Sequence, residues 1–87
     1  MNRTMRLLRH KHNISYVELS KAAGISTQRL AQIELNPDTS TRYHRDLVRR
    51  AFLRVIAARK LALFSLEQDF EQYHDSLLDE APKEDFP

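Results

Sequence analysis

The chain has no cysteine and no tryptophan, and only one glycine and three prolines among its 87 residues. Without cysteine there is no disulfide, no zinc–thiolate centre and no cysteine nucleophile, and a reducing compartment suits the composition. Without a glycine-rich stretch there is no loop to cradle nucleotide phosphates. Long apolar runs are missing too. None exceeds Leu61–Phe64, far short of the roughly 20 residues a membrane span needs. No apolar signal core follows the N-terminus, so a soluble, cytoplasmic chain without a membrane role is expected. Strand signals are equally scarce, with neither sustained alternation nor a hairpin dipeptide, which points to an all-α fold. No Ser/His/Asp set or paired carboxylates stand out. Of the four histidines, His10 and His12 are two apart and fall on different helix faces, while His44 and His74 are isolated. Metal-ligand spacing is therefore lacking, and a non-enzymatic protein without metal or cofactor is expected.

The formal net charge of +2 conceals an asymmetry. Residues 1–60 carry thirteen Lys/Arg against four acids, a net +9, whereas residues 61–87 carry one lysine against eight acids, a net −7. The basic part suits a polyanionic partner, though a solvated basic surface has the same composition. The acidic part argues against indiscriminate coating of nucleic acid by the whole chain.

Periodicity and stop signals divide the chain. A first helix is expected over about Arg3–Lys11, with Met5, Leu8 and His12 on one stripe, ended by Asn13. Ser15-Tyr16-Val17-Glu18 reads as a capping box, in which the Ser15 hydroxyl accepts from the Glu18 N–H and the Glu18 carboxylate reaches back. Val17 or Leu19, with Ala22 and Ala23, form the inner face of the second helix. Gly24 ends it, because glycine enters the left-handed conformation at low cost. Ile25 plugs the turn, Ser26 caps a third helix over about Thr27–Leu35 with Leu30 and Ile33 inward, and Asn36-Pro37-Asp38 breaks the chain. No proline or glycine interrupts Thr41–Glu80. Tyr43, Leu47, Val48, Ala51, Phe52, Val55 and Ile56 follow helical spacing there. A second stripe, Leu63, Leu66, Phe70, Tyr73 and Leu77, steps by three and four as a heptad seam does. One helix or two, split near Lys60–Ser65, both satisfy this pattern. Residues 81–87 read as a disordered acidic tail.

The segment from Tyr16 to Leu35, with apolar Leu19, small Ser20, Gly24, Ile25, Leu30, Ile33 and Glu34 at their relative spacings, resembles the helix-turn-helix of the Cro/repressor-like (XRE-type) DNA-binding family. The resemblance covers about residues 3–58. Ser20 stands where alanine is usual, and Asn36-Pro37 where Asn-Gly is frequent. The resemblance implies a helix-turn-helix bundle in residues 1–58; residues 59–80 continue past the length that such a bundle needs, as a long helical extension. It further implies a dimeric, sequence-specific regulator of transcription, of repressor type, that binds double-stranded DNA. The third helix would lie in the major groove. Thr27, Gln28, Arg29 and Gln32 are then the base-reading candidates, since glutamine suits adenine and arginine suits guanine. Tyr16, Asn36, Arg42 and Arg45 are the phosphate-gripping candidates. Arg9 and Glu34 match the family's internal ion pair, which orients the reading helix.

The stripe Leu63, Leu66, Phe70, Tyr73 and Leu77 either folds back on the bundle or pairs with another chain. Dimerisation is favoured, because one reading unit covers few base pairs and a two-fold pair matches a palindromic site. Arg59 interrupts that seam and needs an acidic partner or an exposed rim. Two alternatives stand beside the regulator: an antitoxin whose acidic C-terminal segment binds a toxin, and a helical protein-interaction adaptor without DNA binding.

Overall fold

In the computed structural model, which describes residues 4–36 and 41–80, the chain forms four helices: α1 (Thr4–Lys11), α2 (Tyr16–Ala23), α3 (Thr27–Leu35) and α4 (Arg42–Tyr73). No strand occurs among the described residues. The expectations for Arg3, for Pro37-Asp38 and for the tail 81–87 lie outside them.

The short helices end where local chemistry stops them. Asn13 takes a left-handed φ of 53°. Around it the Ile14 N–H donates to the Arg9 carbonyl (2.7 Å) and the Asn13 N–H to that of His10 (3.4 Å), a Schellman closure of α1. Gly24 repeats the device at the end of α2, with φ 73°. The Ile25 N–H donates to the Ser20 carbonyl (3.2 Å), and the Gly24 N–H to those of Ser20 (2.8 Å) and Lys21 (3.3 Å). Ser15 and Ser26 cap α2 and α3, accepting from the Glu18 and Arg29 N–H groups at 3.1 Å each. The expected reach-back of Glu18 does not form, because its carboxylate is held by Arg59.

The core is small. Leu19 and Leu30 are fully buried, joined by Ile14, Ala23, Ala51 and Val55, with Met5, Tyr16, Ala22, Ile25, Leu47, Val48 and Phe52 packed around them. On α2 the inward residue is therefore Leu19, while Val17 stays exposed. Ile25 and Ile33 are half-buried rather than buried. On α1 the apolar stripe turns out differently from its spacing: Arg9 is buried, whereas Leu8 and His12 remain exposed.

The first half of α4 closes this bundle and the second half leaves it. Its buried residues are Ala51 and Val55, and from Ile56 to Glu80 every residue except the half-buried Tyr73 is exposed. The helix is continuous through Lys60–Ser65. Its 32 residues span about 48 Å at 1.5 Å per residue, and the longest extent of the molecule is 54 Å. The stripe Leu63–Leu77 thus does not fold back on α1–α3. Nor does the helix reach Glu80: it stops at Tyr73, so Leu77 lies in the turns that follow. Acidic side chains accumulate at this end, which opposes the helix dipole. The Ser76 N–H and hydroxyl both turn back to the Tyr73 carbonyl (2.9 and 3.4 Å).

Two arginines of α4 lock the bundle from outside. Arg54 donates to the Ala22 carbonyl at the end of α2 (2.8 Å). Arg59 donates to the His12 and Asn13 carbonyls at the end of α1 (2.7 and 3.2 Å) and pairs with Glu18 (2.6 and 3.0 Å). Cations thus sit at two helix C-termini, where orphan carbonyls and the dipole favour them.

Candidate nucleic-acid interface

α3 has two unlike faces. Leu30 and Glu34 are buried, whereas Thr27, Gln28, Arg29 and Gln32 are exposed. Gln28 and Gln32 are one turn apart and share a side of the helix. They leave a polar strip of donors and acceptors on the surface opposite the core. Asn36 closes α3, its N–H donating to the Gln32 carbonyl (3.0 Å).

The inner face is anchored by a buried polar cluster. The Arg9 guanidinium meets the Glu34 carboxylate through Nε (2.8 Å) and Nη2 (3.0 Å), and its Nη1 donates to the Ile14 carbonyl (3.1 Å). The Tyr16 ring lies against the guanidinium at 3.9 Å, and the Tyr16 hydroxyl donates to Glu34 (3.1 Å). One cluster therefore ties α1, the α1–α2 connection, α2 and α3 together. The hydrogen bond with Glu34 holds the Arg9 pKa above its ordinary value against the cost of burial. Burial, then the Glu34 bond, pushes the Tyr16 phenol up. Tyr16, expected as a phosphate contact, here directs its hydroxyl to Glu34 within the cluster.

The start of α4 comes beside the start of α3. Thr41 caps α4, accepting from the His44 N–H (3.3 Å), and the Thr41 N–H points to His44 Nδ1 (3.4 Å). Histidine here takes the place usually held by glutamate in a capping box. His44 Nε2 lies 3.4 Å from Arg29 Nη2, so the two helix starts meet through these side chains. Neither α3 nor α4 has an acid in its first turn, although carboxylates are favoured there by the dipole. Arg42, His44 and Arg45 occupy that position in α4 instead. Arg42 and Arg45 are exposed. Arg42 also joins Asp46, Arg49 and Arg50 around a shallow depression on the outer side of α4. Arg49 and Arg50 were not singled out from the sequence, although the i, i+3 and i+7 spacing of Arg42, Arg45 and Arg49 carried the signal.

Among the described residues no three His, Asp or Glu side chains converge as a metal site, and no helix is long and apolar enough to cross a membrane. Comparison of the chain with protein-family models, with curated proteins and with solved structures found no match.

Proposed function

We propose that this chain is a sequence-specific DNA-binding regulator of transcription, of repressor type. In this reading α2, the Gly24–Ser26 turn and α3 act as a helix-turn-helix. Thr27, Gln28 and Gln32 face base edges in the major groove. Arg42 and Arg45 hold the phosphate backbone, and Asn36 flanks it at the end of α3. Arg29, exposed beside His44 where the two helix starts meet, serves a phosphate or a guanine at the edge of the site.

The observation that carries the reading is the pairing of the two helix starts. Both α3 and α4 begin without an acid, and Arg29 Nη2 and His44 Nε2, 3.4 Å apart, bring those beginnings together. Cations on the positive ends of helices oppose the dipole, a local cost that an external polyanion removes. The net +9 of residues 1–60 supports the same partner. An adaptor without DNA binding gives no reason for this arrangement.

The test is selection of duplexes from a random pool, followed by titration of the enriched duplex at several salt concentrations. A defined sequence should be enriched, with affinity falling steeply as salt rises. A pool that stays random after repeated rounds overturns the reading.

A further inference from the structure

Beyond Arg59, α4 carries apolar side chains into solvent. Leu63, Leu66 and Phe70 are 56%, 61% and 54% exposed. At 3.6 residues per turn they continue the line of Phe52 and Ile56 along the same helix. Earlier on that line the side chains line a groove of roughly 500 Å³ between α4 and Leu8 of α1, with Arg59 and Lys60 at its rim. Later on the line they form a free ridge flanked by Glu67, Asp69 and Glu71. One straight helix thus bears a basic-rimmed apolar groove on one side of Leu63 and an acid-flanked apolar ridge on the other.

We propose that the second half of α4 pairs with α4 of a second copy in antiparallel orientation, each ridge seated in the other copy's groove. A two-fold axis at Leu63 brings the two Leu63 side chains together, sets Ile56 against the partner's Phe70 and places Lys60 beside the partner's Glu67. Apolar surface meets apolar surface and unlike charges meet at the flanks. A parallel pair would set the acidic ends of the two copies side by side at one level and leave both grooves open. The surface is self-complementary, as an isologous interface requires. The pairing itself is independent of DNA reading. Combined with that reading, it places the two starts of α4 roughly 60 Å apart at 1.5 Å per residue, so the half-sites are separated by more than one helical turn of about 34 Å.

The absence of native cysteine makes the register directly testable, without DNA. Light scattering of the full chain at high micromolar concentration should report a dimer. A short bismaleimide should then link Leu63→Cys to itself and link a mixture of Ile56→Cys and Phe70→Cys across copies. Phe70→Cys alone should remain uncrosslinked. Lys60→Glu, at an exposed position, should move the monomer–dimer midpoint to higher concentration, and adding Glu67→Lys should move it back. A monomer at high concentration overturns the proposal, as does self-linking of Ile56→Cys and Phe70→Cys, which marks a parallel pair. A random pool in DNA selection with the dimer intact would overturn only the DNA reading.

Discussion

Arg9 of α1 and Glu34 of α3, 25 residues apart in the chain, meet through two hydrogen bonds of 2.8 and 3.0 Å in the interior of the bundle. Each is less than a tenth exposed. Every guanidinium nitrogen has an acceptor and the carboxylate has a further donor in Tyr16, so the cost of taking two charges from water is offset only while the set is complete. Glu34→Ala leaves a buried cation without its counterion. Its stability should fall by about 3–5 kcal/mol. The double variant Arg9→Met/Glu34→Leu should recover much of that loss, since no charge is then stranded. Chemical denaturation of the three proteins checks both statements. Arg9→Ala should also weaken DNA binding without altering the preferred sequence, because Arg9 orients α3 from behind.

The same cluster predicts alkaline behaviour. The Tyr16 phenol is raised above its ordinary value of 10.0 by burial and by its bond to Glu34. The fold therefore favours the neutral phenol. That stabilisation is fully present below pH 10 and is lost as pH rises through the higher folded value. Tyr16→Phe should remove this alkaline loss, as thermal melts recorded on either side of pH 10 will show.

Glu18 predicts the acid limb. The hydrogen bond from Arg59 holds its carboxyl below the ordinary value of 4.5, against the opposing effect of burial. A lowered folded value means that the stabilisation is complete above pH 4.5 and fades as pH falls through the folded value. Both partners are about a third or more exposed, so solvent screens the pair and the effect is small. Glu18→Gln should melt below the parent at pH 7, and the gap should close in acid.

Gly24→Ala separates conformational strain from crowding. A methyl group placed there meets nothing within 4 Å, yet the backbone has φ +73°. The cost should be about 1–2 kcal/mol, the usual penalty for a side chain in the left-handed region. A denaturation midpoint unchanged from the parent would show that the α2–α3 turn can adopt another conformation.

Gln28→Ala and Arg45→Ala distinguish reading from gripping. With a selected duplex, Gln28→Ala should cost about 1–3 kcal/mol and relax the preference at one base pair. Arg45→Ala should weaken all duplexes alike and reduce the salt slope by about one. Affinity titrations on matched and single-mismatch duplexes at several salt concentrations check both.

Much of the bundle was legible because its signals are local. Ser15, Gly24 and Ser26 act on groups at most five residues away, so the bounds of α2 and α3 follow from neighbours in sequence. The end of α4 was not legible in the same way. No glycine or proline marks it, and the helix stops at Tyr73 among acids that are only weakly unfavourable one at a time. That moved Leu77 out of the seam. The bond of the Tyr16 hydroxyl to Glu34 was hidden for a related reason, because it depends on where α3 carries Glu34.

The sequence by itself determined the all-helical class, the Gly24 turn and the polar outer strip of α3, because helical period and caps depend on neighbours within a turn or two. Through its resemblance it also pointed to the Arg9–Glu34 pair. Only the tertiary structure decided which arginines of α4 brace the bundle. Arg54 reaches a carbonyl 32 residues away and Arg59 one 47 residues away; the seam spacing marked Arg59 as needing an acid but did not say that Glu18 would be it, and no local pattern distinguishes Arg54 from Arg49 or Arg50. It also decided that α4 runs unbroken past the core, so that Leu63, Leu66 and Phe70 stand in solvent. Apolar spacing shows which side of a helix seeks cover, but the cover itself depends on what the rest of the chain brings within reach.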